Sequence, residues 1–211
     1  MTTETAIPLP GGQEIKANVG GEARLGTIVF AHGSGSSRHS PRNRHVAEIL
    51  EQAGFQTVLL DLLTDSEEQR DLRTREHRFD IDLLTRRVVN AMGWLRDQGG
   101  VDPIGLFGAS TGAAAALRAA ADDKTEASAL VSRGGRPDLA GDALDEVEAP
   151  TLLIVGGNDP QVLSLNRQAL EHLNDRSSLE VVEGATHLFE EPGKLDEVAR
   201  LASEWFERHL G

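Results

Sequence analysis

The sequence predicts an α/β protein: a mostly parallel, twisted sheet with helices on both faces. Short runs rich in Val, Ile and Leu alternate with longer stretches of helical period. Those runs are almost continuously apolar, as strands covered on both faces are. The chain has 211 residues, 39% hydrophobic and 26% charged, enough for one ordinary globular core. No repeat, low-complexity tract or linker divides it. Residues 1–211 are therefore read as a single domain, with 1–13 as a flexible N-terminal segment.

Taken in order, "EIKANV" (14–19) alternates weakly and reads as one arm of an N-terminal hairpin. "GTIVFAHG" (26–33) is a buried strand ending in glycine. In "SPRNRHVAEILEQAG", Ser40 suits an N-cap, Pro41 the first helical position, and Gly54 the stop. "FQTVLLDLL" (55–63) is the next strand, and the polar segment 64–79 has no readable conformation. "DIDLLTRRVVNAMGWLRDQGG" (80–100) places Leu83, Leu84, Val88, Met92 and Leu95 at helical spacing. A strand at 103–108 and an alanine-rich helix follow. Strands at 127–132 and 151–155, a helix near 161–173, a strand at 178–183 and a final helix at 193–209 complete the pattern.

Composition removes several functions. There is no cysteine, which excludes disulfides, a thiol nucleophile and thiolate metal sites together. With 34 acidic against 21 basic residues the formal charge is −13, a field that repels phosphate backbones and anionic membranes. Nucleic-acid and membrane partners are accordingly not expected. No apolar run reaches the roughly 20 residues needed to cross a bilayer, and the N-terminus lacks the features of a secretion signal, so a cytoplasmic location is expected. The spacing of His39 and His45 matches no common metal pattern, and no metal or organic cofactor is expected.

In sheets of this kind, ligand sites form beyond the carboxyl ends of the strands. The residues found there belong together. His32-Gly33-Ser34-Gly35 follows the strand at 26–31, and Gly108-Ala109-Ser110-Thr111-Gly112 ends the strand at 103–108. Gly156-Gly157-Asn158-Asp159 follows the strand at 151–155, and Gly184-Ala185-Thr186-His187 the strand at 178–183. A serine, an aspartate and a histidine thus arrive in that order at one edge of one sheet. A serine hydroxyl attacks only when an adjacent base takes its proton and when it stands clear of the backbone. A tight strand-to-helix turn lifts Ser110 into that position, and glycines at 108 and 112 let strand and helix approach. The helix that follows presents unpaired N–H groups to a developing oxyanion. The N–H of Thr111 is one expected donor and that of Ser34 the second.

These residues carry a resemblance to the α/β-hydrolases, and more narrowly to their small dienelactone hydrolase-like members. It spans roughly residues 14–210 and rests on "FAHGSGSS" (30–37), "GLFGASTGAAAAL" (105–117), "PTLLIVGGND" (150–159) and "GATHLF" (185–189). The resemblance implies Ser110 as nucleophile, His187 as general base and then acid, and Asp159 as the group that orients His187. Glu183, also at a strand end, is the alternative acid. The type member of the dienelactone branch uses a cysteine nucleophile, so cleavage of dienelactone itself does not carry over. Only about 17 residues separate the strands at 127–132 and 151–155, too few for a large lid domain.

The expected activity is hydrolysis of a small carboxylic ester through an acyl-enzyme on Ser110. Thioesterase, lactonase and acyltransferase activities share the same groups, and a binding or regulatory protein on a hydrolase scaffold is the non-enzymatic alternative. Arg133 and Arg136 leave a strand end near the site and are read as candidates to hold a substrate carboxylate or phosphate, against ion pairing with Asp138 or Asp142. His32 is expected to fix the loop that carries Ser34. A homodimer through an edge strand or outer helix completes the expectations.

Overall fold

The computed structural model describes residues 2–99 and 103–211. Met1, at the start of the segment 1–13, and residues 100–102, at the end of the helix read over 80–100, lie outside them. Among the described residues eight strands form one sheet: β1 (Thr3–Pro8), β2 (Glu14–Gly20), β3 (Thr27–Ala31), β4 (Gln56–Leu60), β5 (Ile104–Ala109), β6 (Ala129–Arg133), β7 (Thr151–Gly156) and β8 (Ser178–Val182). Their order is β1-β2-β4-β3-β5-β6-β7-β8. β1 and β2 pair antiparallel, as do β2 and β4, and every other pairing is parallel. Within the segment 1–13, read as flexible, Thr3–Pro8 forms a strand. Thr3–Pro8 is an edge strand in register with Glu14–Val19, and Ile7 is fully buried. Mixed polar and apolar residues suit an edge strand covered on one face, which is why the sequence reads weakly there.

Among the described residues six helices cover the sheet: α1 (Pro41–Ala53), α2 (Asp65–Thr74), α3 (Ile81–Gln98), α4 (Thr111–Ala120), α5 (Pro160–Leu170) and α6 (Lys194–Leu210). The residues between β6 and β7 form short 3-10 turns over Pro137–Glu146, bent at Gly141, in place of a lid. Strand side chains alternate between two cores, as the period of a strand requires. Val29, Leu106, Leu130 and Leu153 pack against α3 and α4. Ile28, Phe107, Val131 and Ile154 face α1 and α6, where Phe55 and Phe206 meet edge to face at 6.2 Å.

Capping residues set the helix boundaries. Ser40 accepts the N–H of Asn43, Pro41 fills the first position of α1, and Gly54 closes it in the left-handed region. α2 is the helix missed by period reading. Its marker is a capping box in which the Thr64 hydroxyl accepts from Glu67 N–H and the Glu67 carboxylate accepts from Thr64 N–H. α4 is buried except at Arg118 and Ala120, and Ala113–Ala116 show no exposed surface. Its alanines let it sit close to both β5 and α3. Phe206→Ala should lower unfolding free energy by about 3–5 kcal/mol, because the ring is fully buried beside Gly105 and Phe55. Urea titration reads this directly, and a loss below about 1 kcal/mol would contradict the packing.

Candidate active site

The site is built around a strained turn. Ser110 stands between β5 and α4 with φ 50° and ψ −121°, a backbone conformation that a side chain rarely adopts and that costs about 1–3 kcal/mol. Three backbone hydrogen bonds hold it there. Ser110 N–H donates to the Arg133 carbonyl (3.2 Å), and the Ser110 carbonyl accepts from Ala113 N–H (3.1 Å) and Arg136 N–H (3.2 Å). The flanking glycines are steric necessities. A Cβ at Gly108 would lie 2.4 Å from Ala113 Cα, and one at Gly112 would lie 2.3 Å from the carbonyl oxygens of both Ala31 and His32. The second contact brings the N-terminus of α4 against the end of β3, and so against the loop carrying Ser34.

Three side chains then stand in series. The Ser110 hydroxyl faces His187 Nε2 at 3.4 Å, and His187 Nδ1–H donates to Asp159 Oδ2 at 2.7 Å. Because a carboxylate only accepts, Nδ1 carries the proton and Nε2 is left as the acceptor facing serine. The loops under these residues are tied to each other: Gly157 N–H donates to Val182 O, Asn158 N–H to Ala185 O, and Asn158 Nδ2 to Gly184 O. Asp159 also accepts from Val162 N–H as N-cap of α5, so the start of that helix fixes the carboxylate. Glu183, the alternative acid, is exposed and lies beside Gly157. The aspartate is the partner of the histidine.

On the β3 side, Ser34 N–H donates to the Thr111 hydroxyl oxygen at 2.8 Å. The two expected oxyanion donors are therefore adjacent, with the Thr111 side chain tethering one loop to the other. His32 secures the same loop as expected. Leu62 N–H donates to its Nε2, so its Nδ1–H is the donor to Gly33 O at 2.9 Å. Burial pushes its pKa down, against the Gly33 hydrogen bond, and keeps the ring neutral.

The cleft bearing Ser110, Asp159 and His187 is also lined by Arg136, Gln161 and Leu165. A second hollow of about 150 Å³ opens on the other side of Ser34, lined by Leu62, Leu63, Leu72 and Arg78. The segment 75–79 is clasped over it by Asp71, whose carboxylate accepts from the backbone of His77 and Arg78 and from Arg78 Nε at 2.6 Å. Among the described residues no group of three or more His, Asp or Glu could hold a metal ion.

The two arginines read as ligand contacts separate. Arg136 reaches the cleft but is held by both oxygens of Asp138, at 2.8 and 2.7 Å. Arg133 does not line the cleft. As an odd-numbered residue of β6 it shares the α1 face with Ala129 and Val131, and its buried guanidinium reaches Asn43 Oδ1 instead (3.2 Å). Sequence reading placed it by its distance from the strand end and overlooked the alternation of faces.

A family profile described as alpha/beta hydrolase fold matches residues 26–147. The chain belongs to the α/β-hydrolase family. It is similar to a dienelactone hydrolase from Anabaena variabilis, with 51% identity and a TM-score of 0.96 over 100% of this chain and 99% of that one. The esterase Est1E from Butyrivibrio proteoclasticus shares the fold alone, at TM-score 0.82 and 15% identity over 98% of each chain. A Mycobacterium tuberculosis protein provisionally named a phosphoribosyl transferase is 59% identical over 191 residues, 90% of this chain. The chain spans only 42% of that relative's length. Among the described residues no helix is long and apolar enough to cross a membrane.

The state of His32 sets a pH dependence. Its folded pKa lies below the ordinary 6.5, so on acidification the unfolded chain takes up a proton before the folded one does. The stability it contributes is complete above about pH 6.5 and is lost as pH falls towards the folded value. Urea midpoints between about pH 7.5 and 5 should fall more steeply for the wild type than for His32→Gln. Parallel curves would show that His32 does not resist protonation in the fold.

Proposed function

We propose that this hydrolase-family chain is a serine hydrolase that cleaves a small carboxylic ester through an acyl-enzyme on Ser110. The observation that carries the proposal is the series Ser110 Oγ, His187 Nε2, His187 Nδ1–H, Asp159 Oδ2, set on a strained strand-to-helix turn. His187 takes the Ser110 proton as the hydroxyl attacks the ester carbonyl, then returns it to the leaving alkoxide. Water activated by the same imidazole releases the acid in the second half. Asp159 keeps the Nε2 lone pair facing serine and stabilises the imidazolium formed at each stage.

The tetrahedral oxyanion is assigned to the N–H groups of Thr111 and Ser34. Thr111 opens α4, where an N–H has no intrahelical acceptor. Ser34 N–H donates to the Thr111 hydroxyl, which holds it beside the Thr111 N–H, and it is shared between that hydroxyl and the oxyanion when one forms. The hollow beside Ser34, with its leucines, suits a short acyl group of a few carbons. Likeness to a dienelactone hydrolase supports ester or lactone chemistry, but serine replaces the thiol chemistry of that branch because the chain has no cysteine.

Ser110→Ala should lower kcat on p-nitrophenyl acetate by about 10⁴–10⁶-fold while urea stability changes little. A loss of less than tenfold would exclude Ser110 as nucleophile. Thr111→Val removes the tether but keeps the backbone N–H. It should lower kcat by roughly tenfold with little change in KM, less than loss of a full oxyanion donor, whereas Thr111→Ser should keep most of the activity. An equal loss in both variants would show that the hydroxyl does not position Ser34.

A further inference from the structure

On the α1 side of the sheet, behind the loop that carries His187, two arginines gather against a single exposed carboxylate. Arg133 is 7% exposed, and its guanidinium makes one hydrogen bond, from Nη2 to Asn43 Oδ1. Its Nε and Nη1 are buried without a partner, and so is Nε of neighbouring Arg42. All this lies at the N-terminus of the thirteen-residue α1, which carries the positive end of the helix dipole. Helix starts usually bring acidic residues to that end. The first turn of α1 has none, and Arg42 stands there instead. Burial together with Arg42 pushes the Arg133 pKa down to about 10. The carboxylate of Glu190 pairs with Arg42 at 3.2 Å and is largely exposed.

A buried guanidinium with two idle donor nitrogens is costly unless something accepts from them. Among the described residues no backbone or side-chain group does so for Arg133 Nε and Nη1. Two forked cations at a helix N-terminus match the planar, multidentate demand of a carboxylate or phosphate group. The Arg42–Glu190 pair is exposed enough to open at little energetic cost, which frees Arg42 for another acceptor.

We propose that Arg133, Arg42 and the N-terminus of α1 form a binding site for a small oxyanion, a carboxylate or phosphate group, behind the histidine loop. The site is separate from the cleft. Gly134 joins them, because its Cα lies under the loop: a Cβ there would be 3.1 Å from the His187 carbonyl and 3.5 Å from the Phe189 ring. The anion is either a free ion or the acid group of a substrate reaching past the loop. Only the second source rests on the hydrolase reading.

The test is thermal unfolding of the whole chain, wild type and Ser110→Ala, titrated with sodium phosphate or sodium succinate against sodium chloride at equal ionic strength. Both proteins should show a saturable rise in Tm with the oxyanions beyond that with chloride. Arg133→Met should abolish that rise and, by removing an unpaired buried charge, should itself raise Tm in chloride by about 2–4 °C. Arg42→Gln should weaken the apparent affinity about tenfold. Oxyanions acting no more than chloride on the wild type would overturn the site. So would a fall in Tm on Arg133→Met in chloride, since the guanidinium would then be held by the fold itself. Hydrolysis distinguishes the sources. If the substrate supplies the anion, Arg42→Gln lowers kcat/KM for mono-p-nitrophenyl succinate and leaves p-nitrophenyl acetate unchanged. If the anion is free, both esters respond alike to added phosphate while the Tm effect persists. Failure of all hydrolysis with the Tm effect intact would sink the ester reading and leave the anion site standing.

Discussion

The contact on which the site depends is the approach of α4 to the end of β3. Gly112 lies where any side chain would collide with the carbonyls of Ala31 and His32, and Gly108 lies where one would collide with Ala113. Only with both positions empty can the chain turn through Ser110 at positive φ and enter the helix at once. The strain is local, and its restraint comes from next door: the backbone of residues 133–136 accepts from and donates to Ser110. Residues that sequence reading took for substrate contacts thus act first through their peptide groups.

The same approach sets the remaining geometry. It brings Thr111 within hydrogen-bond reach of Ser34 and carries the loop from 32 to 36 along the edge of the cleft. The parallel order of β5, β6, β7 and β8 then spaces Ser110, Asp159 and His187 across one sheet edge. Hydrogen bonds between the turns after β7 and β8 close the arrangement. Distances between residues separated by 28 and 77 positions follow from strand register.

Much of this was legible in the sequence because it depends on local chemistry. Gly-x-Ser-x-Gly before an alanine run marks a tight turn into a closely packed helix, and Ser40, Pro41 and Gly54 mark both ends of α1. What escaped has physical reasons too. α2 is short and polar with Asp71 as its buried residue, so apolar period could not find it, though Thr64 and Glu67 could have. β1 is an edge strand whose partner lies across a turn, and alternation at an edge is weak. Arg133 needed the parity of β6 to be counted. Arginine at a strand end suggests a cleft residue, while its place two residues after Val131 sends it to the opposite core.

The central claim is that Ser110 is an activated nucleophile. It is tested most directly by treating the folded protein with a fluorophosphonate and locating the adduct by peptide mass spectrometry. The account predicts one adduct, on the Ser110 peptide, formed rapidly in the wild type and much more slowly in Asp159→Asn, where the imidazole loses its orienting carboxylate. A folded wild type that stays unlabelled, or that is labelled at another residue, would contradict it.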